Sequence, residues 1–446
     1  MNARRIVTGA LGVVPLAIVG VVLQSCTSTV VDSPIDVSDA GQDVGPIVDA
    51  GIDTSTVDAP ATDAGPPRPR DVVCAGDPCY VAVSGNGGRH FCGLLQDGTV
   101  RCWGRDSMEP GVRSDAGDDI PGDGALGRGG YTSRLEGAKP AAVPGLANVT
   151  RISVGSSFGT CARNADGAVY CWGKNDTGQL GRPPSEERLL VPTRVEGLPS
   201  VDEIALGEGL ACAIGSADRA LYCWGQWTAG LGIEGAPGDT IGPQRIPTFR
   251  PPVSSVTIAP GDTIVTLLDD RQLATVGRHP AGERFLVLPS VVPAEIPGVV
   301  LAAPFAFVGD DGALTRWSVR ADTFGQEYIV HDAVYLVGSR YIVDVKIASA
   351  QPGAQAGLLL ASGRLFRWGP NSLGTLGVHP DERRTSAYPL EVSQLGANVV
   401  SFATTVESTC ASLVSGKIVC FGGNTFGELG RGGVDENAHP DAKEIE

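Results

Sequence analysis

After its first 25 residues this 446-residue chain has no long apolar run at helical spacing, and nowhere does it have a run of lysine or arginine. The first absence excludes a helical solenoid, whose repeats need such runs. The second leaves 34 basic against 50 acidic residues and a formal net charge of −16. Nucleic acid needs a basic face to displace its counterions, so that partner is excluded. Histidine is scarce: His90, His279, His331, His379 and His439 stand apart, without a metal-binding pair spacing. No Gly-x-Ser-x-Gly elbow occurs, and the nearest stretch, Val154-Gly-Ser-Ser-Phe-Gly159, reads as a strand-end turn. The Asp box of sialidase propellers and a strand-to-helix phosphate loop are missing too. No catalytic residue and no cofactor is therefore assigned, and the expectation is a protein without enzymatic activity.

What the chain does have is Cys-Trp-Gly, three times over. Cys92 precedes Cys102-Trp103, Cys161 precedes Cys171-Trp172, and Cys212 precedes Cys223-Trp224. A fourth pair, Cys410 and Cys420, precedes Phe421-Gly422. Each pair encloses a turn-forming stretch such as Asp97-Gly98 or Asp166-Gly167, as two short strands in a hairpin require. The tryptophan position recurs at Trp103, Trp172, Trp224, Trp317 and Trp368, and degenerates to Val276 and Phe421. A closing Gly-x-Leu-Gly recurs at Gly124, Gly178, Gly374 and Gly427. Seven units of four short β-rich runs, spaced near 50 residues, read as an all-β, seven-bladed β-propeller of four-stranded blades. The repeat tryptophans should pack between blades. His90 is placed at the unit's approach position, opposite Phe158 of unit two, in a structural role.

These residues resemble the regulator of chromosome condensation repeat family, with its Asp-Gly turn, Val-Tyr-x-Trp-Gly strand and Gly-Gln-Leu-Gly close. Unit two, residues 149–195, matches nearly throughout, and units four and five match in outline. The resemblance covers roughly residues 80 to 446 and implies a ring that serves as a binding platform. Chromatin binding, known for the namesake, conflicts with the acidic charge. Guanine-nucleotide exchange would be inferred from the family name alone.

Eleven cysteines leave one over. A unit holds both repeat cysteines or neither: the equivalent places carry Val265 and Thr275, Ala306 and Arg316, and Gly357 and Arg367. Joint presence and absence points to bonds Cys92–Cys102, Cys161–Cys171, Cys212–Cys223 and Cys410–Cys420. Directly opposed residues of antiparallel strands lie within disulfide reach. Cys74–Cys79 makes a fifth pair at the entry to the ring.

The remaining Cys26 follows a basic start, Arg4-Arg5, and an apolar stretch from Ile6 to Val22. Residues 1–25 resemble a bacterial lipoprotein signal peptide, with Leu23 three places before the cysteine and Gln24 a departure from the usual small residue. The implied chemistry is lipidation of the Cys26 thiol; an uncleaved transmembrane anchor is the alternative. Either places the ring outside the cytoplasm, in a bacterial envelope, where disulfides persist. Residues 26–71 contain nine aspartates and no aromatic, a composition that cannot offset chain entropy and reads as a disordered acidic linker. Residues 72–446 are then the propeller domain.

Propellers bind through rim loops, since blade faces are occupied by their neighbours. Trp227, the tryptophan outside the repeat register, is the first candidate for contact with a protein partner, followed by Tyr131 and Met108. The long loop after Trp103 places Asp115, Asp118, Asp119 and Asp123 close together, a weak calcium candidate without EF-hand spacing. The expected function is a lipid-anchored scaffold that binds an unidentified protein or cell-surface ligand. Rival readings are an enzyme inhibitor similar to a secreted β-lactamase-inhibitor propeller, and a carbohydrate-binding or carbohydrate-cleaving propeller.

Overall fold

The computed structural model describes residues 69–446, except 87, 107–122, 131, 185–187, 227–238, 248–251, 260–261, 279–284, 289–298, 304–305, 310–312, 322–326, 337–341 and 348–354. Cys26, Met108, Asp115, Asp118, Asp119, Tyr131 and Trp227 lie outside the described residues, as does the signal segment.

Valine, threonine and aromatic residues in short runs, broken by glycine turns, make each unit a meander of antiparallel strands. Unit two shows the pattern in strands Val149–Val154, Gly159–Asn164, Val169–Gly173 and Leu189–Arg194. Gly167 closes the central hairpin at φ +78, a conformation that costs glycine nothing. Seven such four-stranded sheets are present among the described residues. Their first strands begin at Tyr80, Val149, Val201, Val253, Val299, Ile342 and Val399. Each of these strands touches its counterpart in the unit before and the unit after, and Tyr80–Ser84 touches Val399–Thr404. The architecture is an all-β propeller of four-stranded blades.

The core lies between blades, because successive strand residues point to opposite faces. Cys102 and Trp103 show the consequence. Cys92 and Cys102 pack with Val149, Val154 and Ala162 of unit two, whereas Trp103 packs with Ile418 and Leu429 of unit seven. Each hairpin cysteine pair thus faces the next blade, and Trp103, Trp172, Trp224 and Trp368 face the preceding one. The indole Nε1 of Trp172 donates to the Ala125 carbonyl at 3.0 Å, that of Trp224 to Gln179 at 2.9 Å, and that of Trp103 to Glu428 at 2.9 Å. All three carbonyls belong to the closing Gly-x-Leu-Gly loop of the blade before. Trp368 is likewise buried, in a cluster with Phe307 and Leu314 of unit five.

Directly opposed cysteines are bonded in all four hairpins, with Cα atoms 4.1 Å apart. Cys74–Cys79 is bonded as well, with a Cα separation of 5.6 Å. In unit six the sulfur pair is replaced by Gly357 opposite Arg367, whose side chain is completely buried. The glycine makes the room: a Cβ there would lie 2.9 Å from the arginine Cδ.

The strand register corrects one expectation. His90 pairs with Gly104 as Gly159 pairs with Gly173, so His90 matches Gly159, and it is Arg89 that matches Phe158. The misplacement comes from aligning on ring character rather than counting back from the cysteine. His90 remains a buried structural group, with Nε2 2.9 Å from Thr160 Oγ1 and its pKa lowered to about 4 by burial.

Among the described residues each sheet is built from four consecutive strands, the last sheet included. The C-terminal Asp435–Glu444 pairs with Ile418–Asn424 as the outer strand of unit seven. Asn86 bridges Thr404, and the Val83 amide donates to Ser401 Oγ at 3.2 Å. On one rim the segment before Tyr80 docks on the unit-seven hairpin turn. Its Val73, Ala75 and Tyr80 amides donate to Val414, Ser415 and Gly416 at 2.7, 3.1 and 2.7 Å. The Cys74–Cys79 bond holds that segment in a loop, and Cys79 Sγ sits where a Cβ on Gly416 would stand 2.7 Å away.

Candidate functional site

The opposite rim carries the loops between first and second strands and the Gly-x-Leu-Gly closing loops. Where unit seven meets unit one, this rim gathers charge around one aromatic ring. The closing loop of unit seven begins at Asn424, whose Oδ1 accepts the Leu429 amide at 3.2 Å. Asn175 does the same for Leu180 and Asn371 for Leu376, at 3.0 and 2.8 Å. In unit one the position is Asp106, which accepts from the Leu126 amide at 2.9 Å. Burial raises the Asp106 pKa to about 6 against those bonds. This shared cap presents residue 426 at the loop tip.

Unit two has Thr177 at that tip; unit seven has Phe426. Three guanidinium groups lie over its ring: Arg105 at 4.2 Å, Arg89 at 4.9 Å and Arg134 at 5.1 Å from the centroid. Arg105 also lies 5.5 Å over the ring of Phe158. Each such stack on an aromatic face is favourable by about 0.5–1 kcal/mol where exposed. Arg89 and Glu407, the matching residues of units one and seven, form a two-point pair at 2.6 and 3.3 Å. Arg134, on the short helix Arg134–Gly137, donates through Nε to the Thr425 carbonyl at 2.5 Å. That helix is capped by Ser133, which accepts the Glu136 amide, and Gly427 opposite it leaves space for Ala138.

Beneath the ring lies Glu428, fully buried, where unit two has Gln179. Its Oε2 accepts the Phe426 amide at 2.7 Å, as Gln179 accepts the Thr177 amide at 3.0 Å. Arg89 stands 3.8 Å from Oε1. Burial is the dominant influence and raises the carboxyl pKa to about 7, opposed by the Phe426 amide and Arg89 and reinforced by Glu407. Leu135, next to Arg134 in the chain, and Val406, next to Glu407, are 57% and 50% exposed.

Of the sequence candidates, Trp227, Tyr131 and Met108 fall outside the described residues. Asp123 does not sit in an open loop: it is 3% exposed and pairs with Arg188 of unit two at 3.0 Å. Among the described residues no group of three or more His, Cys, Asp or Glu is placed to hold a metal. Reading the sequence missed Arg89, Arg105, Arg134, Phe426 and Glu428. Their signal was departure from the repeat: Phe426 for Thr177, Glu428 for Gln179 and Arg89 for Phe158, all at one seam.

A partly open space of about 290 Å³ follows the ring axis, bordered by first-strand residues that include Ser84, Ser153, Glu203, Thr257 and Lys346. Its serines serve the walls. Ser84 Oγ accepts the Val154 amide at 3.1 Å and Ser153 Oγ accepts the Leu206 amide at 3.0 Å, tying each blade to the next.

Comparison with known proteins agrees with this geometry. Models of the regulator of chromosome condensation (RCC1) repeat match residues 80–108, 149–179 and 166–214. The mouse regulator of chromosome condensation is 31% identical over 182 residues, which are 40% of this chain and 41% of that protein. The aligned part therefore spans about two fifths of that relative's length. The Arabidopsis thaliana ultraviolet-B receptor UVR8 is 23% identical over 81% of both chains. Among solved structures, Saccharomyces cerevisiae Prp20p superposes with a TM-score of 0.56 at 17% identity, covering 82% of this chain and 87% of that one. Human WBSCR16 superposes at 0.55, also 17% identical, covering 77% and 90%. With the repeat models matched and the propeller fold shared, the described residues form an RCC1-like β-propeller.

Proposed function

We propose that this protein is an extracytoplasmic scaffold, a seven-bladed ring anchored through lipidated Cys26, that binds another protein by its rim and performs no catalysis. The observation that carries this reading is the set of four hairpin disulfides buried in blade interfaces. Bonds of this kind form and persist in oxidising compartments. They support an envelope location, and the leader of residues 1–25, ahead of Cys26, would supply the route. A structurally similar protein with protein partners supports a binding role: Prp20p binds Gsp1p and histones. The −16 charge argues against the chromatin branch of that comparison.

The test has two parts. Cys26→Ser should move the protein from the membrane fraction to the soluble envelope fraction; retention in the membrane would overturn the lipid anchor. Affinity capture from the envelope, with wild-type and Trp227→Ala rings, should recover a partner that the variant recovers poorly. Recovery of nothing by the wild-type ring would overturn the scaffold reading.

A further inference from the structure

We propose that the space on the ring axis is a binding site for one neutral, hydroxyl-rich small molecule of monosaccharide size. Its volume of about 290 Å³ lies at the lower end of the range for small-molecule pockets, about 300 to 1,000 Å³. The site is separate from the rim, and its occupancy does not depend on any protein contact made there.

Three observations select this ligand. Register comes first. Ser84, Ser153, Thr257 and Lys346 stand opposite Cys92, Cys161, Val265 and Gly357 on the neighbouring strands. One strand position therefore brings polar groups to the axis from four blades, and all four residues line the space. Hydrogen-bonding capacity comes second. Ser84 Oγ and Ser153 Oγ each accept an amide from the next blade, so each hydroxyl still has its O–H to donate. Ser255, Thr257 and Asn86 line the same space, and among the described residues their side chains make no hydrogen bond. A ligand that donates and accepts at many points can use this set, whereas an apolar one would displace water from it without replacement. Charge comes third. Asp344 is paired with Lys346 at 3.1 Å, and Glu203 lies in the opposing fields of Arg151 and Arg219. The carboxylates can thus accept ligand hydroxyls without an uncompensated charge that would select an ion. Leu301 and Ala302 of unit five add an apolar patch, which suits the C–H face of a sugar ring.

The test uses the full chain purified in a detergent without a sugar headgroup. Glucose, galactose, mannose, N-acetylglucosamine and myo-inositol are titrated in turn, with binding read by saturation-transfer NMR. At least one should bind saturably. Thr257→Val removes one hydroxyl at nearly constant volume and should weaken that binding about three- to tenfold. Asn86→Ala should weaken it as well, while Thr193→Val on the outer strand Leu189–Arg194 should not. Melting curves without sugar check that the variants fold as the wild type does. A free sugar and the end of a glycan share this chemistry, so the sugar that binds is compared with its trisaccharide. Tighter binding of the first supports a free metabolite, and tighter binding of the second supports a glycan end. No saturable binding of any of the five, undiminished binding by either pocket variant, or tenfold tighter binding of glucuronate or glucosamine than of the neutral sugar would overturn the proposal. Each of these failures leaves the scaffold reading intact, because that reading rests on capture of a protein at the rim.

Discussion

Replacing Glu428 by glutamine should make the ring more stable at neutral and alkaline pH and leave it unchanged in acid. The side chain is fully buried at the seam, and its carboxyl pKa rises from 4.5 to about 7. A group with a raised folded-state pKa holds its proton more tightly folded than unfolded. Its favourable contribution is complete below about pH 4.5 and is lost as pH climbs through 7. A displacement of about 2.5 units at about 1.4 kcal/mol per unit gives an upper limit near 3.4 kcal/mol of lost stability at pH 8. Glutamine removes that loss and keeps the acceptor for the Phe426 amide, since Gln179 makes the same bond to Thr177 in unit two. It gives up the attraction to Arg89 and adds an amide N–H₂ that needs a partner. The expected net gain is therefore about 1–3 kcal/mol at pH 8, falling toward zero at pH 4. Urea unfolding of both proteins with disulfides intact, at steps from pH 4 to pH 8, measures the difference. A difference independent of pH, or a variant less stable than wild type at pH 8, would refute the reasoning.

Three further outcomes follow from the blades. Gly357→Cys with Arg367→Cys should form a new hairpin disulfide, because the pair occupies the register of the four natural ones. Closing a ten-residue loop should add roughly 2–3 kcal/mol beyond what removal of the buried arginine supplies, read as a melting shift abolished by reductant. Trp172→Ala should cost about 3–5 kcal/mol, since it empties a fully buried interblade site and leaves the Ala125 carbonyl only the Thr160 hydroxyl as donor; a loss below about 1 kcal/mol would show the indole to be dispensable. Gly427→Ala should destabilise the seam, because the new Cβ would stand 2.3 Å from that of Ala138 and φ is +78; unaltered thermal unfolding would contradict the packing described.

Much of the blade was legible from residue order. Cys161 and Cys171 flank a turn ending in Gly167, so two-residue strand periodicity brings the sulfurs opposite each other without reference to the rest of the chain. The same local rule sets Trp172 on the face away from the sulfurs, and the closing loops repeat with their Asn or Asp cap. His90 shows where such reading slips: an aromatic likeness to Phe158 outweighed a one-residue count, and only the paired strands restored it to the place of Gly159. The sequence by itself determined what lies within one unit, because hairpin pairing, side-chain alternation and turn glycines act over ten to twenty residues. Only the tertiary structure decided which blade each sulfur pair faces, how the first sheet meets the last, and that Arg89 and Arg105 would share a ring with Phe426. Arg89 and Glu407 stand 318 residues apart, and no local interaction spans that distance; closure of the ring brings them to 2.6 Å.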